Sequence, residues 1–231
     1  MPMAAMTDDR RMALPLLQGS PWLKRYPLGL AEALVAEGTL QTLDEGRWVH
    51  SAGDEGNGLV VVIEGSLDLF CDAPGERTVR IGQAGAGAAM GHAVRYGGGP
   101  RLVTAICAEP SLLLRISEVG LERVARTRPD IWQAVTALLY LQLQYAIQIG
   151  AETIALPPRQ RIASRLLLFA RGRAAPIYLA LSQQALSEMV GLTRKTVNVH
   201  LGRFQRDGLI RLEYGRIWLT DMERLRKIVE S

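Results

Sequence analysis

The stretch LSQQALSEMVGLTRKTVNVHLGRFQRDGLIRLEYGRIWL, residues 181–219, reads as two short helices, a tight turn and a β-hairpin: a winged helix-turn-helix. Ser182 suits the cap of the first helix, because its hydroxyl can accept from a free backbone N–H of the first turn. Ala185, Leu186, Met189 and Val190 follow at helical spacing, and Gly191 suits a turn that needs left-handed backbone. Thr193 is placed to cap the second helix, in which Val197, Leu201 and Phe204 recur at i, i+4 and i+7 and define a buried stripe. At about 100° per residue, Lys195, Val199, Gly202 and Arg206 point away from that stripe, with Arg194, Asn198 and Arg203 on its shoulders. Gly208 ends the helix, and Leu209–Leu212 and Arg216–Leu219 read as strands joined by Tyr214-Gly215. His200 lies beside the stripe, where half-buried packing is expected.

A helix exposing Arg, Lys and Asn near its N-terminus can reach base edges and phosphates together, so duplex DNA is the expected partner. Charge is distributed to match. Residues 1–156 carry 13 Lys/Arg against 17 Asp/Glu (13 − 17 = −4), and residues 157–231 carry 14 against 6 (14 − 6 = +8), giving the whole-chain +4. A basic C-terminal third on an acidic body is the footprint of a phosphate-binding module.

At 231 residues and 48% hydrophobic, the chain can bury one large core or two smaller ones. Its two cysteines, Cys71 and Cys107, form no metal spacing and read as reduced, buried thiols of a cytoplasmic protein. The first 17 residues lack an apolar run of signal-peptide length and read as a lead-in to the first helix. From Ile131 to Ala151 there are 21 consecutive residues without a charge. That length can span a bilayer, but glutamines at 133, 142, 144 and 148 would each need an amide partner in hydrocarbon, so no membrane is expected. A helix apolar nearly all round can instead lie between its own domain and an identical partner helix. Trp132, Val135, Leu139, Gln142, Ala146 and Ile149 follow the 3–4 spacing of a coiled-coil seam. Leu138, Leu141 and Tyr145 lie on another face, available to the N-terminal domain. Pro157-Pro158 stops this helix and marks a hinge, and the next helix runs from Arg159 to Ala170.

Residues before this helix read as mostly β. Glycine recurs between short apolar runs, with Leu59–Glu64 and Ser66–Cys71 as a hairpin about Gly65 and further strands at Thr78–Ile81, Arg101–Cys107 and Ser111–Ile116. Leu30–Glu37 and Val119–Thr127 read as helices at the edges.

Three features in order resemble the CRP/FNR family of bacterial transcription regulators. GLVVVIEGSLDLF with GERTVRIGQAGAGAAMG is similar to a cyclic-nucleotide-binding β-roll; the uncharged helix resembles the family's dimer helix; LSQQALSEMVGLTRKTVNVHLGRFQRDGLI resembles its recognition module. The resemblance implies an α+β chain: residues 1–127 a jelly-roll-like sensor domain, 128–156 the dimerisation helix and 157–231 the winged helix-turn-helix. It implies a homodimer on a two-fold-symmetric site, one recognition helix per half-site, with RNA polymerase as a further partner. Carried over residue by residue, the base-reading positions fall on Arg194, Lys195 and Val199. Lys195 stands where a glutamate is common and Val199 where an arginine is common, so the family's usual half-site is not expected; Val199 is suited to a thymine methyl. Gln183, Arg203 and Arg216 are phosphate candidates, and Thr193, Thr196 and Asn198 complete the DNA-facing set.

The implied sensor pocket departs further. Nucleotide-binding members carry a Gly-Glu pair for the ribose, then an Arg followed by a small hydroxyl residue for the phosphate. Here the positions read Gly91-His92 and Arg101-Leu102. A neutral imidazole offers one acceptor nitrogen and no charge, so cyclic AMP binding in the family manner is not expected. No cysteine cluster precedes Cys71 for iron–sulfur, His92 and Pro2 alone do not make a haem site, and metal is not expected. The effector is therefore unidentified, with a ligand-free, constitutively competent regulator as the alternative, and behind it a cyclic-nucleotide- or haem-responsive one. With three histidines in the chain and no HxH pair, Ser/His/Asp set, Walker loop or dinucleotide fingerprint, an enzyme is not expected.

Overall fold

The computed structural model describes residues 8–55, 58–75, 77–91, 99–171 and 175–231. Contacts divide the chain into two units, residues 1–67 with 84–144 and residues 68–83 with 145–231. This division passes through the long uncharged helix and assigns residues 68–83 to the C-terminal unit, unlike the three consecutive segments the sequence suggests.

The N-terminal unit opens on helix α1 (Asp8–Gly19) and helix α2 (Leu28–Glu37). The reading of a lead-in is thus corrected from residue 8 onward: Ala13 and Leu17, one helical turn apart, are both 0% exposed. Pro15 lies between them inside the helix and masks the pattern in the sequence. Strands β1 (Thr39–Leu43), β8 (Ser111–Ser117), β3 (Gly58–Glu64) and β6 (Ala89–Met90) form one sheet in the order β1-β8-β3-β6. Strands β2 (Trp48–His50), β7 (Thr104–Cys107), β4 (Ser66–Ala73) and β5 (Arg77–Gly85) form a second in the order β2-β7-β4-β5. β3 and β4 therefore do not pair as a hairpin; the chain changes sheet at Gly65. Its φ is +82°, and a Cβ there would meet the Pro110 carbonyl at 2.6 Å, so only glycine makes this corner. The expected strand from Arg101 begins only at Thr104. Cys71 is half-buried rather than buried; Cys107 is buried as expected.

Leu59, Val61 and Ile63 of β3 and Leu112, Leu114 and Ile116 of β8 pack in one core with Leu30 and Leu34 of α2 and with Leu121 and Val124 of helix α3 (Glu118–Thr127). Ser117 caps α3, its hydroxyl accepting from the Gly120 N–H at 3.1 Å. Helix α4 (Ile131–Ala155) is the long uncharged helix, and Ile131, Ala134, Val135 and Leu138 complete this core.

The C-terminal unit holds helix α5 (Pro158–Ala170), β9 (Ile177–Ala180), α6 (Gln183–Val190), α7 (Arg194–Arg206), β10 (Ile210–Glu213), β11 (Arg216–Leu219) and α8 (Met222–Glu230). The two short helices and the hairpin stand as read from sequence; β9 and α8 are additions. β9 pairs antiparallel with β11, making the sheet β10-β11-β9, and α8 buries Leu225 and Ile228. Pro158 opens α5, where its missing N–H costs nothing. Arg161 of α5 donates to the carbonyls of Leu156 (3.0 Å) and Val190 (3.1 Å), so the Pro157-Pro158 junction is braced on both sides. Among the described residues no helix is long and apolar enough to cross a membrane.

Candidate nucleic-acid interface and sensor pocket

The recognition helix is built by local chemistry. The Ser182 hydroxyl accepts from the Ala185 N–H at 3.1 Å and starts α6. Gly191 ends it in the left-handed conformation, φ +64°, and Thr193 begins α7 two residues later, its hydroxyl accepting from the Thr196 N–H at 3.1 Å. Val197, Leu201 and Phe204 are each 0% exposed, which fixes the rotation of α7. Arg194, Lys195, Asn198 and Arg203 then lie exposed, and Val199 is 47% exposed. The Thr193 and Thr196 hydroxyls are hydrogen-bonded to each other at 2.9 Å, and Gln183 is half-buried in the first turn of α6. His200 is half-buried and its pKa is lowered by burial, then by Arg203 and Arg159, as a packing histidine should be.

Arg216, exposed on β11, is held by an arrangement sequence reasoning missed. Its guanidinium lies 5.0 Å over the Tyr178 ring, Tyr178 packs on Trp218 at 5.1 Å, and Arg211 covers Trp218 at 4.8 Å. The Trp218 indole N–H donates to the Glu213 carboxylate at 2.8 Å, and Glu213 also pairs with Arg211. Alternation of Arg216 and Trp218 on β11 was visible, but Tyr178 sits on the strand the sequence reading omitted. The ladder stiffens the wing and holds Arg216 beside its tip, paired with Glu213 and next to the fully exposed Tyr214 of the turn.

In the N-terminal unit, Gly91 and Arg101 come together. Gly91 has φ +95°, and a Cβ there would collide with the Arg101 guanidinium and the Gly58 carbonyl. The Arg101 backbone is pinned by hydrogen bonds with Asp54 and Gly53, both 2.9 Å. His92 lies outside the described residues. Leu102 is 78% exposed, which removes it from the pocket: with the strand starting only at Thr104, residue 102 sits on the approach and turns to solvent. Two residues not singled out from sequence bear on Arg101. His50 on β2 is buried, with its pKa held near 4 by burial, then by Arg101 and Arg115, against Asp54. Arg115 on β8 donates to the Val49 carbonyl at 3.1 Å. The guanidiniums of Arg101 and Arg115 both have lowered pKa values, chiefly from burial. An arginine inside LLLRI, at an inward strand position, was the available signal for Arg115.

The seam read from sequence on α4 is rotated from the exposed one. Val135 is 4% exposed in its own core, Trp132 packs partly against that core, and Gln142 donates its amide to the Ala89 carbonyl at 2.9 Å. Those three are engaged within the chain; Leu139 is 37% exposed, Ala146 exposed and Ile149 half-buried. The uncovered apolar residues are Tyr140 (68%), Leu143 (58%), Ile147 (64%) and Ile154 (89%), again at 3–4 spacing but one residue on. Leu138 and Leu141 pack in the core as expected, whereas Tyr145 stacks under Arg171, 5.3 Å away, in the C-terminal unit.

Residues 160–228 match the Crp-like helix-turn-helix domain and residues 40–128 the cyclic nucleotide-binding domain. The chain is 27% identical over 194 residues to the CRP-like cAMP-activated global transcriptional regulator of Mycobacterium tuberculosis, covering 80% of this chain and 87% of that protein. Among solved structures, the fold is similar to FixK2 from Bradyrhizobium japonicum (18% identity, TM-score 0.71, 83% of this chain and 96% of that one). It is also similar to the c-di-GMP responsive global regulator CLP of Xanthomonas campestris (22%, 0.63, 84% and 99%). The matched proteins are regulators and not enzymes. With a cyclic-nucleotide-binding domain preceding a Crp-like helix-turn-helix, the chain belongs to the CRP/FNR family of DNA-binding transcription regulators.

Proposed function

We propose that the protein acts in the cytoplasm as a homodimer on a two-fold-symmetric operator, one α7 helix entering the major groove of each half-site. The observation that supports this most is the split of α7: three side chains sealed in the core, and Arg194, Lys195, Asn198 and Val199 on the open side. Arg194 pairs bidentately with a guanine, Val199 meets a thymine methyl, and Lys195 and Asn198 face neighbouring base edges. Thr193, Thr196, Gln183, Arg203 and Arg216 position the module on phosphates. Dimerisation runs through the stripe of Tyr140, Leu143, Ile147 and Ile154, whose partner is the same stripe of a second chain. RNA polymerase is the further partner expected of a family regulator.

Any effector acts by shifting the population between DNA-competent and incompetent forms. The relative in Mycobacterium tuberculosis is cAMP-activated by name. In this chain the ribose acceptor is replaced by His92 and the hydroxyl position by the exposed Leu102, which favours a regulator that does not bind cyclic AMP in the family manner. Selecting fragments from a random duplex pool, with and without cyclic AMP, tests this. A palindrome enriched without ligand is the expected result. Enrichment only with cyclic AMP overturns the pocket reading; an asymmetric motif, or none, overturns the dimeric DNA-reading one.

A further inference from the structure

Inside the N-terminal unit, cationic and polar side chains from separate segments converge around too little negative charge. His50 ends β2, Arg115 lies on β8, and Arg101 precedes β7. One nitrogen of each is buried without a hydrogen-bond partner: Nδ1 of His50, a terminal nitrogen of Arg101, and Nε of Arg115. Buried polar atoms are nearly always paired, so three orphans in one neighbourhood are open to a bound partner. Asp54 is the carboxylate that bears on both His50 and Arg101, and one of its oxygens already accepts from the Ser51 N–H at 2.8 Å. Arg115 also borders a cavity of about 380 Å³ with Gln41, Leu43, Gly46, Arg47 and Trp48, which neither His50 nor Arg101 lines.

We propose that this cluster binds a small dianion, a compact dicarboxylate or phosphate monoester, held by the guanidiniums of Arg101 and Arg115 with His50 donating between them. The proposal rests on reading this unit as the regulator's sensor. It differs from a nucleotide clamp, in which one arginine meets a singly charged phosphodiester, because a second arginine and an imidazole face the anion. Among the described residues, Arg101, Arg115 and Asp54 sum to one positive charge, and a protonated His50 raises that to two, which a dianion cancels. His50 is kept neutral by burial and by the two arginines, against Asp54 and the Val103 carbonyl. An anion seated among them offsets the repulsion from Arg101 and Arg115, though not the burial that is the larger cause, so binding favours uptake of a proton by His50 and strengthens as pH falls.

The test is calorimetric titration of the full-length protein at pH 7 with succinate, glycerol 3-phosphate and cyclic AMP, at matched ionic strength against chloride. Saturable binding of either dianion is expected; which one binds separates the carboxylate source from the phosphate source. The heat should vary with the buffer's ionisation heat in the direction of proton uptake, and Arg115→Gln and Arg101→Gln should each weaken binding at least tenfold. Absence of binding by both dianions, affinity unchanged by Arg115→Gln, or preference for cyclic AMP overturns the proposal. Should the variants fail to fold, buffer-independent heat in the unsubstituted protein overturns it alone. Duplex binding measured on the same sample separates the two readings: dianion binding without sequence-specific DNA binding sinks the regulator mechanism and leaves the site standing.

Discussion

The DNA-binding unit and the β-roll unit are both packed around apolar cores, yet they expose their chemistry to a reader of the sequence very differently. The cap Thr193 and the 13 residues of α7 that follow it hold the buried stripe and the open face together, so helical periodicity alone sorts core from contact. In the roll, His50, Arg101 and Arg115 are brought together by sheet topology across 65 residues of sequence, and no local pattern links them. The run Leu59–Ile63 is buried on both faces, so even the alternation that would show which side chains point inward is missing. A function carried by one element is legible; a function assembled from several is not.

The long helix α4 lies between these cases, and it yields the largest predicted effect. Val135→Glu places a charge in a site that is 4% exposed, without a partner, and should cost several kcal/mol and unfold the N-terminal unit. Leu143→Glu, on the exposed stripe, should leave the fold intact by circular dichroism and abolish the dimer in sedimentation. A folded, monomeric Val135→Glu protein would restore the seam first read from the sequence. The test in the DNA-binding unit is Phe204→Ala, which empties a 0% exposed site and should destabilise by about 3–5 kcal/mol in denaturant titration. A loss below about 1 kcal/mol would mean the stripe collapses easily and that periodicity overstated its importance.

What was legible follows the same line. The winged helix-turn-helix, the existence of α4 and the glycine-punctuated strands could be read because local pattern dictates them. The phase of α4 could not be read: over 21 uncharged residues two apolar stripes one position apart satisfy the same spacing, and only the core around Ile131, Val135 and Leu138 chooses between them. α1 was hidden by Pro15, β9 by its four-residue length, and the sheet change at Gly65 by its likeness to a hairpin turn. Leu102 was misplaced because the strand it was assigned to begins two residues later.

The roll has its own stability signature. His50 is neutral in the folded protein down to about pH 4, whereas an unfolded histidine takes a proton near 6.5. Between those values the unfolded state binds more protons, so stability is full above about pH 6.5 and falls as pH drops toward 4, by on the order of 3 kcal/mol. His50→Asn cannot take up that proton and should flatten this part of the curve. Parallel stability profiles for the two proteins across that interval would show that His50 is solvated, and would remove the contrast between a buried ionisable cluster in the roll and an open one on α7.

The smallest effects separate two arginines within the DNA-binding unit. Arg194, in the first turn of α7, is proposed to read a base; Arg216, over Tyr178 and beside the turn of the wing, is proposed to meet the backbone. Arg194→Ala should cost about 1–3 kcal/mol at the selected operator and relax preference at one base pair. Arg216→Ala should weaken binding to all duplexes alike, by less than Arg194→Ala does at the operator, and reduce the salt slope by about one. Comparing both variants on operator and scrambled duplex at two salt concentrations distinguishes the roles. Equal loss on every sequence for Arg194→Ala would reduce it to a phosphate contact. Selective loss at the operator for Arg216→Ala would mean that the aromatic ladder of the wing aims a base-reading side chain, so that part of the specificity lies on a strand pairing with β9, which the sequence reading omitted.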